Sequence, residues 1–358
     1  MGALLSRATR RGTLAQVRHV TPVHPAAARG LVAEVYRQVE RDFGMLAPPI
    51  SLHSPAPDVM AAAWLILRES LLATRRAPRA AKEAVAAAVS VANACPYCAD
   101  VHSATLSGLV RSRDAMAIGA GRAASVGDPV LRSVASWAAG SAGADGSARH
   151  PLAVPDDVMA ELAAVAVTFH YLNRMVSVFL PESPIPARVP AGLRGGVRRL
   201  VGWTMAPTVR RTRPADAAAK LLPDAPVLPD LPWMASSPGL ATAFARAGRT
   251  IEAAGERSAP PAVRALVSAR LARWDGVPPG ISAAWADESV AQLRPQDRPS
   301  GRLALLTAFA AYQVGPTVVA DFRRAHPEDR ALVELTSWAS MAAARRIGSW
   351  MVTHQRVE

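Results

Sequence analysis

Apolar positions recur at helical spacing over most of the chain. Val32, Val35, Tyr36 and Val39 fall on one side of the segment from Ala26 to Phe43, which predicts an amphipathic helix. Pro48, Pro49, Pro55 and Pro57 mark a loop. Asp58 is placed to N-cap the next helix, VMAAAWLILRESLLAT, whose apolar stripe includes Trp64, Leu67 and Leu71. Within it Arg68 and Glu69 are expected to face solvent. Pro78 opens a third helix. Residues 80–92 are mostly Ala and Val without Gly or Pro, which favours a buried helix stopped at Asn93. Pro96 suits the first turn of a fourth. A short helix is predicted over about 129–139, and a long apolar one starts at Pro155 and Asp156 and ends at Leu180. Gly119–Gly127 and Gly140–His150 read as turn and loop. No segment is long and uninterrupted enough to span a bilayer, and no membrane contact is expected.

Composition sharpens the fold class. Ala is abundant and aromatics are 5% of the residues, so an all-α body of packed helices is expected. The formal net charge is +13, almost all of it Arg, since Lys82 and Lys220 are the only lysines. That pattern follows a GC-rich coding bias and weakens any argument from basicity. No basic stripe is interleaved with aromatics, so nucleic acid is not an expected partner.

The 358 residues allow two domains. Residues 1–25 form a basic arm, 26–182 a first helical domain, and 183–230 a Pro/Arg-rich linker with a strongly basic piece at 193–213. Residues 231–358 read as a degraded copy of the first domain. In register, Cys95-Pro96-Tyr97-Cys98 falls on Val277-Pro278-Pro279-Gly280, Glu83 on Ala265 and His102 on Ala284. Every residue able to do chemistry is missing from the second copy, which is therefore expected to be a structural partner.

The chemistry gathers in EAVAAAVSVANACPYCADVH, residues 83–102. Cys95 and Cys98 are the only cysteines, and a helix starting at Pro96 places both at its N-terminus, where free N–H groups and the dipole favour thiolates. Both thiols are expected to be acidified. Cys98 and His102 share a helical face, and Glu83 comes opposite His102 if the helices fold back about 93–95. The parts suit thiol activation and proton transfer. A zinc site would need further ligands that are not nearby. A plain disulfide and a glutaredoxin dithiol are the other readings, and the latter needs strands that the Ala-rich flanks do not offer. Two cysteines so close suggest a redox pair in a reducing, cytoplasmic compartment. Tyr97 and His170 are further candidates for lining the pocket, with core hydrogen bonding the competing reading for His170 and Arg174. No metal, flavin or nucleotide motif is present, so no cofactor is expected.

The spacing Glu-x11-Cys-x2-Cys-x3-His, carried by Glu83, Cys95, Cys98 and His102, resembles the alkyl hydroperoxidase D branch of the carboxymuconolactone decarboxylase family. The resemblance runs from about Val35 to Leu180. It implies a thiol-dependent hydroperoxide reductase in which Cys98 attacks the peroxide, Cys95 resolves the sulfenic acid to a disulfide, and Glu83 and His102 relay the proton. It also implies a dithiol or lipoylated-protein reductant and a homo-oligomer. The decarboxylases proper lack the cysteine pair. A non-catalytic redox sensor or scaffold is the alternative.

Overall fold

The computed structural model describes residues 12–143, 152–185, 189, 196 and 208–351. Among them every regular element is helical. The first half holds α1 (Gly30–Phe43), α2 (Pro57–Leu67), α3 (Arg79–Ala92), α4 (Pro96–Ser107), α5 (Ser112–Gly119), α6 (Pro129–Ala139) and α7 (Asp156–Phe179). The second holds α8 (Pro238–Ser258), α9 (Pro261–Ala272), α10 (Ala284–Val290), α11 (Arg298–Ala310), α12 (Pro316–Arg323) and α13 (Asp329–Met351).

Proline sets many of these boundaries. Pro57, Pro96, Pro129, Pro238, Pro261 and Pro316 stand in the first turn of their helices, where a missing N–H costs nothing. Asp128 caps α6 by accepting from the amides of Val130 and Leu131 at 2.9 and 3.0 Å. Asp156 and Asp157 place negative charge at the start of α7.

In the first half α3 is central, packed against α4, α6 and α7. α7 then lies along α13, and α2 along α8. One continuous apolar cluster runs through both halves. α7 is, by length and hydropathy, apolar enough to cross a bilayer, contrary to the expectation from sequence. Here 89% of its apolar window is buried inside the protein, because helices cover it on several sides.

The basic arm is not separate from the body where it is described. Thr13 and Val20 are buried, and the Arg18 amide donates to the Phe179 carbonyl at 2.7 Å. Residues 1–11 lie outside the described residues, as does most of the basic piece 193–213.

Arg68 and Glu69 do not face solvent. They sit in a π-helical turn, Arg68–Leu72, that ends α2. Both are buried, paired at 2.6 Å, and Arg68 also donates to Asp42 at 2.9 Å. Glu69 accepts from Arg75 at 3.1 Å and from the Asp216 amide at 2.7 Å. Two charges can be buried together because each satisfies the other. The partner at Asp216 lies far along the chain, which is why local spacing gave no sign of it.

Candidate active site

The dithiol is placed by a helix-to-helix hand-over. α3 ends in a Schellman turn: the Ala94 amide bonds the Val91 carbonyl at 3.0 Å and the Cys95 amide bonds the Ser90 carbonyl at 2.9 Å. Ala94 has φ +50°, the left-handed conformation that this turn requires. Cys95 ends the turn and is also the N-cap of α4. Cys98 follows as the third residue of α4, and His102 stands one turn further on the same face.

The reversal brings α3 alongside α4. His102 Nδ1 lies 2.7 Å from Glu83 Oε2. The other carboxylate oxygen, Oε1, accepts from Arg79 Nε and Nη2 at 2.9 and 2.6 Å. Glu83 is fully buried, and burial opposes its ionisation. The charges of Arg79 and His102 and their hydrogen bonds outweigh that, so its pKa is lowered. An ionised carboxylate only accepts, so Nδ1 of His102 carries the proton and Nε2 is left for exchange. Phe169 of α7 packs edge-on against the imidazole, with centroids 4.5 Å apart. Next to this group Lys82 and Glu161 pair at 3.0 Å and tie α3 to α7.

Cys98, His102, Glu83, Arg79 and Tyr97 all line a cavity of about 340 Å³. The Tyr97 hydroxyl donates to Gln16 Oε1 at 2.9 Å. Cys95 is not among the lining residues. Both thiols are free and buried, with 2% and 3% of their surface exposed. The acidity expected of both holds for one. The Cys98 thiol, followed by weaker help from the Ser177 hydroxyl, lowers the pKa of Cys95. Its hydrogen bond to Cys95, burial and the Cys95 charge raise that of Cys98. A charge on one sulfur opposes a charge on the other, so the two thiols differ in acidity and Cys95 is the one that ionises first.

His170 does not line the cavity. Its ring is enclosed by Asn93, 3.1 Å from Nδ1, and Ser141, 2.9 Å from Nε2. Burial and the charge of Arg174 push its pKa well down. Arg174 donates to the His170 carbonyl at 2.6 Å and to the Ala308 carbonyl of α11 at 2.8 Å, so both serve core contacts. Arg79 was missed from sequence, although its place four residues before Glu83 on one helix is a readable signal. Gln16 from the arm and Ile185 and Val209 from the connection between halves gave none. Among the described residues no group of three or more His, Cys, Asp or Glu side chains could hold a metal ion.

The profile of the carboxymuconolactone decarboxylase family matches residues 58–140, a stretch that contains Glu83, Cys95, Cys98 and His102. The alkyl hydroperoxide reductase Rv2159c of Mycobacterium tuberculosis is 38% identical to the chain over 336 residues, covering 94% of this chain and 95% of the relative. The chain belongs to the carboxymuconolactone decarboxylase family. The family profile is narrower than the resemblance read from Val35 to Leu180, whereas the mycobacterial relative extends it. Both halves, not the dithiol half alone, are thus shared with another member of the family.

Proposed function

We propose that this family member reduces organic hydroperoxides with the Cys95–Cys98 dithiol. The observation that carries the reading is the Arg79–Glu83–His102 chain, ending beside Cys98 in an apolar cavity. The name of the mycobacterial relative points the same way.

The chemistry follows from the geometry. Cys95 is the more acidic of the two thiols, but Cys98 is the residue that lines the cavity. Passing the thiol proton from Cys98 to His102 Nε2 presents a thiolate to the peroxide. Its sulfur bonds the distal oxygen, the O–O bond breaks, and the leaving alkoxide takes a proton from His102 Nε2. Cys98 is now a sulfenic acid. Cys95 attacks it, the S–O bond breaks, and the departing hydroxide takes up the proton that the Cys95 thiol gives up and leaves as water. The disulfide that remains accepts two electrons and two protons from a dithiol donor, a small molecule or a lipoylated protein. Glu83 orients the imidazole rather than moving through two protonation states, because Arg79 favours its ionised form. The second half serves as a built-in packing partner: α13 and α8 cover α7 and α2, faces that a single copy would have to bury against another subunit.

A redox sensor is favoured by one observation, the burial of Cys95 away from the cavity, which hinders approach of a reductant. Steady consumption of cumene hydroperoxide with dihydrolipoamide or dithiothreitol separates the two. Oxidation that stops after one equivalent rejects the enzyme.

A further inference from the structure

The cavity beside Cys98 has a composition that says more than its volume. Its walls are largely apolar, with Phe43 at the end of α1, Leu46 just beyond it, Leu72 of the π-helical turn, and Phe169 and Leu172 of α7. Its outer side comes from the connection between the halves, through Ile185, Val209 and Arg213. At Arg213 and Pro214 that connection is pinned to the first half. The Thr74 amide donates to the Arg213 carbonyl at 2.9 Å, and the Arg213 amide donates to Thr74 Oγ1 at 2.9 Å. Arg68 donates to the Pro214 carbonyl at 3.1 Å.

Both guanidinium groups in the wall are already engaged. Arg79 is held by Glu83. Arg213 donates to the carbonyls of Arg211, Thr208 and Asp42. Three carboxylates, Asp42, Glu83 and Asp100, also line the space. An anionic substituent on the substrate would lose its hydration, meet no uncommitted arginine and face like charges. An apolar substituent gains from leaving water. The volume, about 340 Å³, is at the small end for organic ligands.

We propose that the cavity selects hydroperoxides whose organic group is compact, apolar and free of negative charge, with Ile185 and Val209 setting how bulky that group can be. This rests on the peroxidase reading of the same site. The described ends of the connection between the halves then contribute to specificity, since Ile185 and Val209 line the substrate pocket.

Two matched comparisons test it on the full chain. Cumene hydroperoxide and its ring-carboxylated analogue differ chiefly in charge at pH 7. The neutral compound should be favoured by roughly tenfold or more in kcat/KM. Val209→Trp should lower kcat/KM for cumene hydroperoxide roughly tenfold more than for hydrogen peroxide. Ile185→Trp repeats the test should Val209→Trp fail to fold. Binding of the two product alcohols to the Cys95→Ser/Cys98→Ser protein, by calorimetry, should show the same preference without turnover. Equal or better use of the carboxylated substrate, or an unchanged ratio in both tryptophan variants, overturns the proposal while leaving the peroxidase intact. No turnover of any hydroperoxide, together with preferential binding of the neutral alcohol, rejects the peroxidase reading and keeps the pocket chemistry.

Discussion

Arg79 and Glu83 are joined by two hydrogen bonds to one carboxylate oxygen, and this leaves the second oxygen to His102 alone. The arrangement fixes both the charge of Glu83 and the tautomer of His102. Because the pKa of Glu83 is lowered in the folded protein, its charged form persists as pH falls below the ordinary carboxylate value and is lost only at the lowered one. Arg79→Gln removes the larger charge beside it. The acid limb of the kcat/KM profile should then move up in pH, with activity down roughly tenfold, and Arg79→Lys should restore part of the shift. Glu83→Gln should cost on the order of 100-fold at neutral pH. A pH profile unchanged in Arg79→Gln would show that the arginine does not act on the acid.

The cysteines should separate by role. Cys98→Ser should abolish peroxide consumption. Cys95→Ser should permit a single oxidation to a sulfenic acid on Cys98, trapped with dimedone and located by mass spectrometry. Trapping on Cys95 in the Cys98→Ser protein, with equal speed, would reverse the assignment in favour of the more acidic thiol.

Two buried histidines make stability depend on pH. Burial pushes His53 down to about 3 and His170 well below its ordinary value. Both are neutral in the fold and charge on unfolding. The unfolded chain thus binds more protons below about pH 6.5, and stability is full above that value and falls as pH drops toward 3. The loss from His53 is on the order of 3–5 kcal/mol. Denaturant unfolding of His53→Asn between pH 7 and 4 should show a flatter dependence than the parent protein; equal slopes would rule the group out.

Ala94 carries a left-handed backbone at φ +50° where a Schellman turn usually has glycine. Ala94→Gly should raise stability by about 1 kcal/mol, read from the denaturant midpoint. A decrease would mean that the Ala94 methyl group packs usefully against its surroundings.

Much of the site was readable because it is local. The stop at Asn93, the start at Pro96 and the shared face of Cys98 and His102 are properties of neighbouring residues, and the helix limits fell close to expectation. Errors arose where a side chain chose a distant partner. Arg68 and Glu69 looked like a solvent-facing pair because nothing nearby in sequence announces Asp216 or Pro214. His170 stood between pocket and core because a helix does not declare which of its faces meets Asn93 and Ser141.

The order of residues alone determined an all-helical chain with a dithiol at a helix start and an acid and an imidazole at the right intervals. Capping, propensity and periodicity act over a few residues, so they survive in the sequence. Tertiary structure decided that Arg79 locks Glu83, that one thiol is acidified at the expense of the other, and that the connection between halves walls the cavity. Those outcomes depend on which buried groups meet and which solvent is excluded, and both are set only when distant segments pack together.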